Sequence, residues 1–117
     1  TGELWVGFEN NDTNNRIRVY TNGTRLDDGN NYRVVINKSG KTADDIDIYI
    51  NQSSVALTNE DNDTVDLPNW NGQEWAWFSK FEDNSASRYI NAKIDDHCLF
   101  DSSLTSSEAQ SYNNPWS

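Results

Sequence analysis

The side chains with chemical reach gather in three places along this sequence. His97, the single histidine, stands beside Cys98, the single cysteine, and two residues after Asp95. In a strand, Asp95 and His97 share a face, so a carboxylate–imidazole base is the chemistry on offer. His97 and Cys98 are sequence neighbours and point to opposite faces of a strand, which defeats Cys–His and Ser–His–Asp arrangements. The expectation is a strand histidine without a catalytic role, a buried inert thiol, and a chain that is not an enzyme. One cysteine also excludes an intrachain disulfide.

The second group is acidic. Calcium takes about six to eight oxygens from carboxylates, carbonyls and water. Asp27-Asp28 in a polar turn and Asp95-Asp96 near the end of the chain are the paired donors, giving Asp28, Asp95 and Asp96 as candidate Ca²⁺ ligands. Solvated turn carboxylates are the competing reading, because acidic pairs are expected in a chain this acidic. The third group is Trp70-Asn71-Gly72-Gln73-Glu74-Trp75. An exposed aromatic flanked by amides suits a sugar, whose ring packs on the indole while its hydroxyls bond the amides. Trp70, Asn71 and Gln73 are therefore candidate ligand-binding residues. Trp75 and Trp77 alternate as packing residues do.

The elements that must position these groups are read from composition and pattern. The 117 residues suffice for one domain, expected over 1–117, and only 34% of them are hydrophobic. Five Trp, five Tyr and four Phe supply much of the apolar area, which suits a pleated surface and argues against disorder. Nineteen acidic residues against nine basic ones give a net charge of −10. That field disfavours nucleic acid and anionic membrane, and no apolar run approaches the length of a membrane span. It fits either a high-salt setting, where salt screens self-repulsion, or an acidic extracellular domain. The chain begins at Thr1 rather than Met, which suggests processing or excision from a longer protein. Asn-x-Ser/Thr sequons stand at Asn11, Asn22, Asn37, Asn51 and Asn62. They arise easily in an Asn-, Ser- and Thr-rich chain; if used, they place their loops on an exported surface.

Leu4 to Phe8 predicts a strand apolar on both faces, buried or at a sheet centre. Arg16 to Thr21 alternates, Ile17 and Val19 inward, and Asn22-Gly23 after it is a hairpin signal. Tyr32 to Ile36 predicts a strand, Lys38 to Lys41 a reversal, and Ile46, Ile48 and Ile50 one face of the next strand. From Asn59 to Trp70 the chain reads as polar connection, broken by Val65-Asp66-Leu67. Trp75 to Phe78 and Ile94 to Phe100 predict further strands. Thr105 and Glu108 have capping-box spacing: the Thr105 hydroxyl accepts from the Glu108 N–H, and the Glu108 carboxylate reaches back to the Thr105 N–H. Leu104 and Ala109 form a weak staple, and Asn113, Asn114 and Pro115 stop the helix.

The closing run, with Ile94, Asp95, Asp96, Leu99, Phe100, Leu104, Thr105 and Glu108, resembles the "I-D-D-v-r-i-y … a-L-S-x-x-E-i" ending of laminin-G-like, concanavalin-A-like jelly-roll domains. Leu26, Asp28, Gly29, Tyr32, Val34 and Ile36 resemble that family's "L-x-D-G-x-W-H-h-V-a-v". Ile48, Tyr49, Ile50 and Asn51 resemble its "v-x-L-Y-v-N-G". Gln52 stands where the family has Gly, so a wider turn through Ser53 and Ser54 is expected in place of a two-residue one. The resemblance implies an all-β, antiparallel β-sandwich of jelly-roll type with one short C-terminal helix. It implies a structural Ca²⁺ near Asp95 or Asp96. The family's opening segment is not found, so either the sandwich is a trimmed one or another chain or preceding domain completes the sheet. Glycosidases on this sandwich carry an acidic triplet, "E-x-D-x-x-E", on one strand, and no strand here has it.

The function expected is a non-catalytic binding or adhesion module of a cell-surface or virus-particle protein, with glycan as a ligand. One alternative is a structural capsid-decorating, spike or fibre domain whose contacts are all protein–protein. A second alternative is an accessory carbohydrate-binding domain of a secreted enzyme.

Overall fold

A computed structural model of the chain describes residues 2–10, 13–66, 98, 100 and 102–112. The chain divides into two compact units, one of residues 1–67 with 100–113 and the other of 68–99 with 114–117. Every element below belongs to the first; of the second only Cys98 is described, free and half-buried rather than buried as expected. The strand expected at Trp75 to Phe78 lies outside the described residues, as does most of Ile94 to Phe100. Cys98 and Phe100, the described residues of that last segment, are not in a strand.

The described elements are β1 (Trp5–Asn10), β2 (Asn15–Thr21), β3 (Val34–Lys38), a 3₁₀ turn (Ala43–Asp45), β4 (Ile46–Ile50), β5 (Ser53–Ser54), β6 (Leu57–Asn62) and α1 (Ser106–Ser111). They form two antiparallel three-stranded sheets, ordered β1-β2-β6 and β3-β4-β5. The expectation of antiparallel β structure closed by a short helix therefore holds.

Alternation explains which faces are buried. In β2, Ile17 and Val19 are fully buried while Arg16 and Arg18 face away. In β4, Ile46, Ile48 and Ile50 share the buried face as their spacing demands. One apolar cluster draws on both sheets, joining Ile17 and Val19 to Ile46, Ile48 and Ile50, with Val65 and Ala43. Phe8 and Val6 of β1 pack against it. Lys38 lies beside the Phe8 ring, its Nζ 5.4 Å from the centroid, and donates to the carbonyls of Gly40 and Val65. Burial pushes its pKa down.

Four expectations are corrected. Among the described residues β1 lies at the edge of its sheet, not at its centre, and Trp5 is 48% exposed. Leu4, Val6 and Phe8 of that apolar run pack on the buried cluster, and a period of two sends Trp5 and Gly7 outward. Asn22-Gly23 turns the chain, with Gly23 at φ 76°, but makes no hairpin between β2 and β3, which lie in different sheets. Residues 24–33 form no strand to pair back, and the Asn22 N–H donates instead to Ala56 O at 2.8 Å. Asn59 to Asn62, read as the start of a polar connection, instead belongs to strand β6, held to β2 by the backbone ladder.

The fourth correction is the turn after β4. Tyr49 pairs with Ser54 and Ile50 with Ser53, leaving a two-residue turn of Asn51 and Gln52 at φ 48° and 72°. Glutamine rarely takes that conformation, and neighbouring bonds hold it there. Asn51 donates its N–H to Arg33 O at 2.9 Å and accepts the Arg33 N–H on Oδ1 at 3.0 Å.

The end of β3 carries another use of asparagine. Asn37 is 8% exposed, and its side-chain amide behaves like a strand edge. Nδ2 donates to Leu104 O and Oδ1 accepts from Leu104 N–H, both at 2.9 Å. That clamp fixes the residue before the helix cap. Thr105 Oγ1 then accepts from Glu108 N–H at 3.2 Å, as the capping spacing predicts. The Glu108 carboxylate accepts from the Thr105 hydroxyl at 3.0 Å rather than from its backbone N–H. Ala109 is buried beneath the short helix, and Tyr112 after it meets Phe100 edge-on at 5.3 Å.

Candidate functional site

The outward face of the β1-β2-β6 sheet concentrates the described side chains suited to a ligand. Register puts Trp5 opposite Tyr20, Gly7 opposite Arg18 and Glu9 opposite Arg16. Cross-strand partners share a face, so the indole and phenol rings stack, centroids 4.5 Å apart and planes 23° apart. The stack orients an indole that remains half-exposed at the sheet edge. One pair further along, about 7 Å by strand rise, the missing side chain of Gly7 leaves room for the Arg18 stem.

The charges beside this platform are arranged by a bulge. Val19 pairs with Asn59 and Arg18 with Asp61, so Glu60 is an extra residue in β6. Consecutive residues of a regular strand face opposite ways. The bulge instead turns both carboxylates onto one guanidinium: Arg18 Nε pairs with Asp61 and lies 3.3 Å from Glu60. Arg16 Nε completes the network, 3.0 Å from Asp61. Hydrogen bonding from Arg18, then from Arg16, holds the Asp61 carboxyl below its ordinary pKa, and the same bond raises that of Arg18.

Because the folded-state pKa of Asp61 is depressed, its contribution is complete above the unfolded value near pH ~4 and disappears as pH falls through the folded one. Asp61→Asn is expected to melt below wild type at neutral pH and to converge with it under strongly acidic conditions. Melting temperatures of both proteins between pH 7 and pH 2 check this; a gap that stays constant with pH would exclude the charge as its origin.

Of the calcium candidates, Asp28 is described and Asp95 and Asp96 are not. Asp28 is exposed, and its carboxylate already accepts from Tyr32 O–H at 2.6 Å, Asn30 Nδ2 at 2.8 Å and Asn30 N–H at 3.0 Å. The Tyr32 bond, then the Asn30 backbone bond, lowers its pKa. Asp27 is turned to Arg25, at 3.0 and 2.5 Å, so the two neighbouring carboxylates act separately. Among the described residues no group of three or more His, Cys, Asp or Glu side chains is placed to hold a metal ion. Trp70, Asn71, Gln73 and His97 lie outside the described residues. No helix among the described residues is long and apolar enough to cross a membrane.

An open groove of about 500 Å³ lies between the 3₁₀ turn, β4 and β6. Ile46, Val55 and Leu57 form its floor and Asp44, Asp47 and Asn59 its rim. Asn59 Nδ2 spans the groove to Asp44 at 3.0 Å.

Sequence reasoning passed over Trp5 because an apolar run conceals which residue an edge strand turns outward. Tyr20 two residues after Arg18, on the same face of a cleanly alternating strand, was the available signal. No family model, no curated protein and no solved structure matches the chain.

Proposed function

We propose that this protein is a non-catalytic binding module that recognises glycan through the outward face of its β1-β2-β6 sheet. The observation that carries the reading is the half-exposed Trp5, held flat against Tyr20 beside the Arg18–Asp61 pair. A pyranose presents C–H groups that pack on an indole face, and its hydroxyls accept hydrogen bonds from guanidinium and donate them to carboxylate. The stack with Tyr20 reduces the ordering cost of binding, since the ring is positioned before the ligand arrives. The finer architecture belongs to the same proposal: the two sheets face each other across their shared core as a concanavalin-A-like jelly-roll sandwich. So does the setting, a module of a cell-surface or virus-particle protein in surroundings salty enough to screen a net charge of −10. An enzyme accessory role would use the same face.

Trp5→Ala is expected to lower affinity for neutral oligosaccharides at least about tenfold, the equivalent of one aromatic stacking contact. The melting temperature should change little, because Trp5 lies outside the buried cluster. Titration calorimetry on ligands drawn from a glycan array, with thermal melts of the same samples, reads both. Unchanged affinity would remove this face from the site, and Trp70→Ala then tests the sequence-based candidate.

A second reading, a structural domain making only protein–protein contacts, is favoured by one observation. Val34 and Ile36 are 37% and 43% exposed on β3, the edge of its sheet among the described residues, as an apolar strip beside the buried Ile50 and Ile48. In that reading no glycan binds, and Trp5→Ala has no binding to alter.

A further inference from the structure

Asn11 lies outside the described residues; the four described sequons differ in what the fold does with their asparagines, and two of them are open. Oligosaccharide transfer needs the asparagine amide nitrogen to reach C1 of a polyprenyl-diphosphate-linked oligosaccharide. The N–C1 bond forms as the C1–O bond to the diphosphate breaks, and the amide gives up one proton to a base. The hydroxyl two residues on must also be presented, since it completes the motif the transferase reads.

Asn37-Lys38-Ser39 fails the first requirement in the folded chain. Asn37 Nδ2 is committed to Leu104 O, Oδ1 to Leu104 N–H, and the residue is buried. The Ser39 hydroxyl donates to Asp45 O at 3.3 Å. A glycan on Asn37 would have to displace the clamp ahead of α1. Asn51-Gln52-Ser53 is exposed, but Asn51 Oδ1 and the positive φ of both turn residues are part of the β4–β5 turn.

Asn22-Gly23-Thr24 and Asn62-Asp63-Thr64 are different. Asn22 and Asn62 are both exposed; Thr64 is exposed as well and Thr24 is half-buried. Around Gly23, at φ 76°, a built Cβ would meet nothing within 4 Å, so the approach to the first sequon is open. Asn22 follows the last residue of β2 and Asn62 pairs opposite Ile17 near its start, so the two sit at opposite ends of one sheet.

We propose that Asn22 and Asn62 are N-glycan acceptor sites and that Asn37, which heads the same motif, is not. The proposal rests on the exported-surface reading above, because the sugar donor is met only on an export route. Its test supplies that route, which keeps the two apart. The full chain is secreted from human cells behind a cleavable signal, and glycopeptides are mapped after enzymatic deglycosylation in ¹⁸O water. Asn22 and Asn62 are expected to be occupied and Asn37 unoccupied. N22Q and N62Q each remove one glycan mass, and T24V and T64V repeat the losses with the asparagines intact. S39A, which destroys the third motif while keeping the clamp, leaves the glycan mass unchanged. Secreted chain bare at Asn22 and Asn62 overturns the proposal, as does a glycan on Asn37 in chain that melts like the unmodified protein. Bare asparagines on chain from its native source, with both sites occupied in the secretion test, count against export and leave the acceptor assignment standing.

Discussion

Asn37→Ala is expected to cost about 2–3 kcal/mol, more than any surface substitution in this chain. The alanine removes both hydrogen bonds to Leu104 and leaves a backbone N–H and C=O facing a methyl group. For a chain of this length that is a fall on the order of 10 °C in melting temperature. Asn37→Asp separates the clamp from simple loss of volume. Its carboxylate still accepts from Leu104 N–H but turns a second oxygen toward Leu104 O. Protonated, it donates there again. Because burial and the facing carbonyl raise the folded-state pKa of this introduced acid, the variant should approach wild type below about pH 4. It should fall away as pH rises through its carboxyl range. Thermal melts of the three proteins against pH read this directly; an aspartate variant with a pH-independent deficit would show that the clamp does not act through donation.

The other large effect lies in the core. Ile17 and Ile48 are both fully buried, on different sheets but in one cluster. Each isoleucine-to-alanine change is expected to cost about 2–5 kcal/mol through lost transfer energy and the cavity left behind. Set against a typical total of about 5–15 kcal/mol, either one brings the domain near its limit. The double variant is the more informative. If the two sheets share a single core, the two cavities relax together and the combined cost departs from the sum by at least about 0.5 kcal/mol. Urea unfolding of the four proteins supplies the cycle. Strict additivity would mean that the sheets are stabilised independently.

What the sequence made legible follows the strength of its periodicity. β2 and β4 were plain because branched aliphatics alternate with charged or polar residues and the sheets bury one side of each. The cap at Thr105 was plain because its chemistry is local, needing only Glu108 three residues on. β6 was hidden because a strand can be held by its backbone alone: Leu57 aside, its side chains are polar, and two of them face the arginines of β2. The turn at Gln52 was hidden because what stabilises it, Arg33, comes from a different part of the chain. Asn37 was hidden for the same reason, its partner lying 67 residues away. The functional face was half legible. Arg16, Arg18 and Tyr20 were placed on one side of a strand, but their companions Trp5 and Asp61 depend on register, which a single sequence does not specify.

The bulge in β6 also bears on how this chain can change its length. Glu60 occupies no rung of its own between Asn59 and Asp61. Deleting it leaves Leu57, Thr58, Asn59, Asp61 and Asn62 opposite the same partners and facing the same sides. β2 has no such surplus: losing one residue there would turn every side chain beyond the gap to the wrong face. Among these neighbouring strands, a single-codon deletion is thus tolerable at a position in one and ruinous throughout the other.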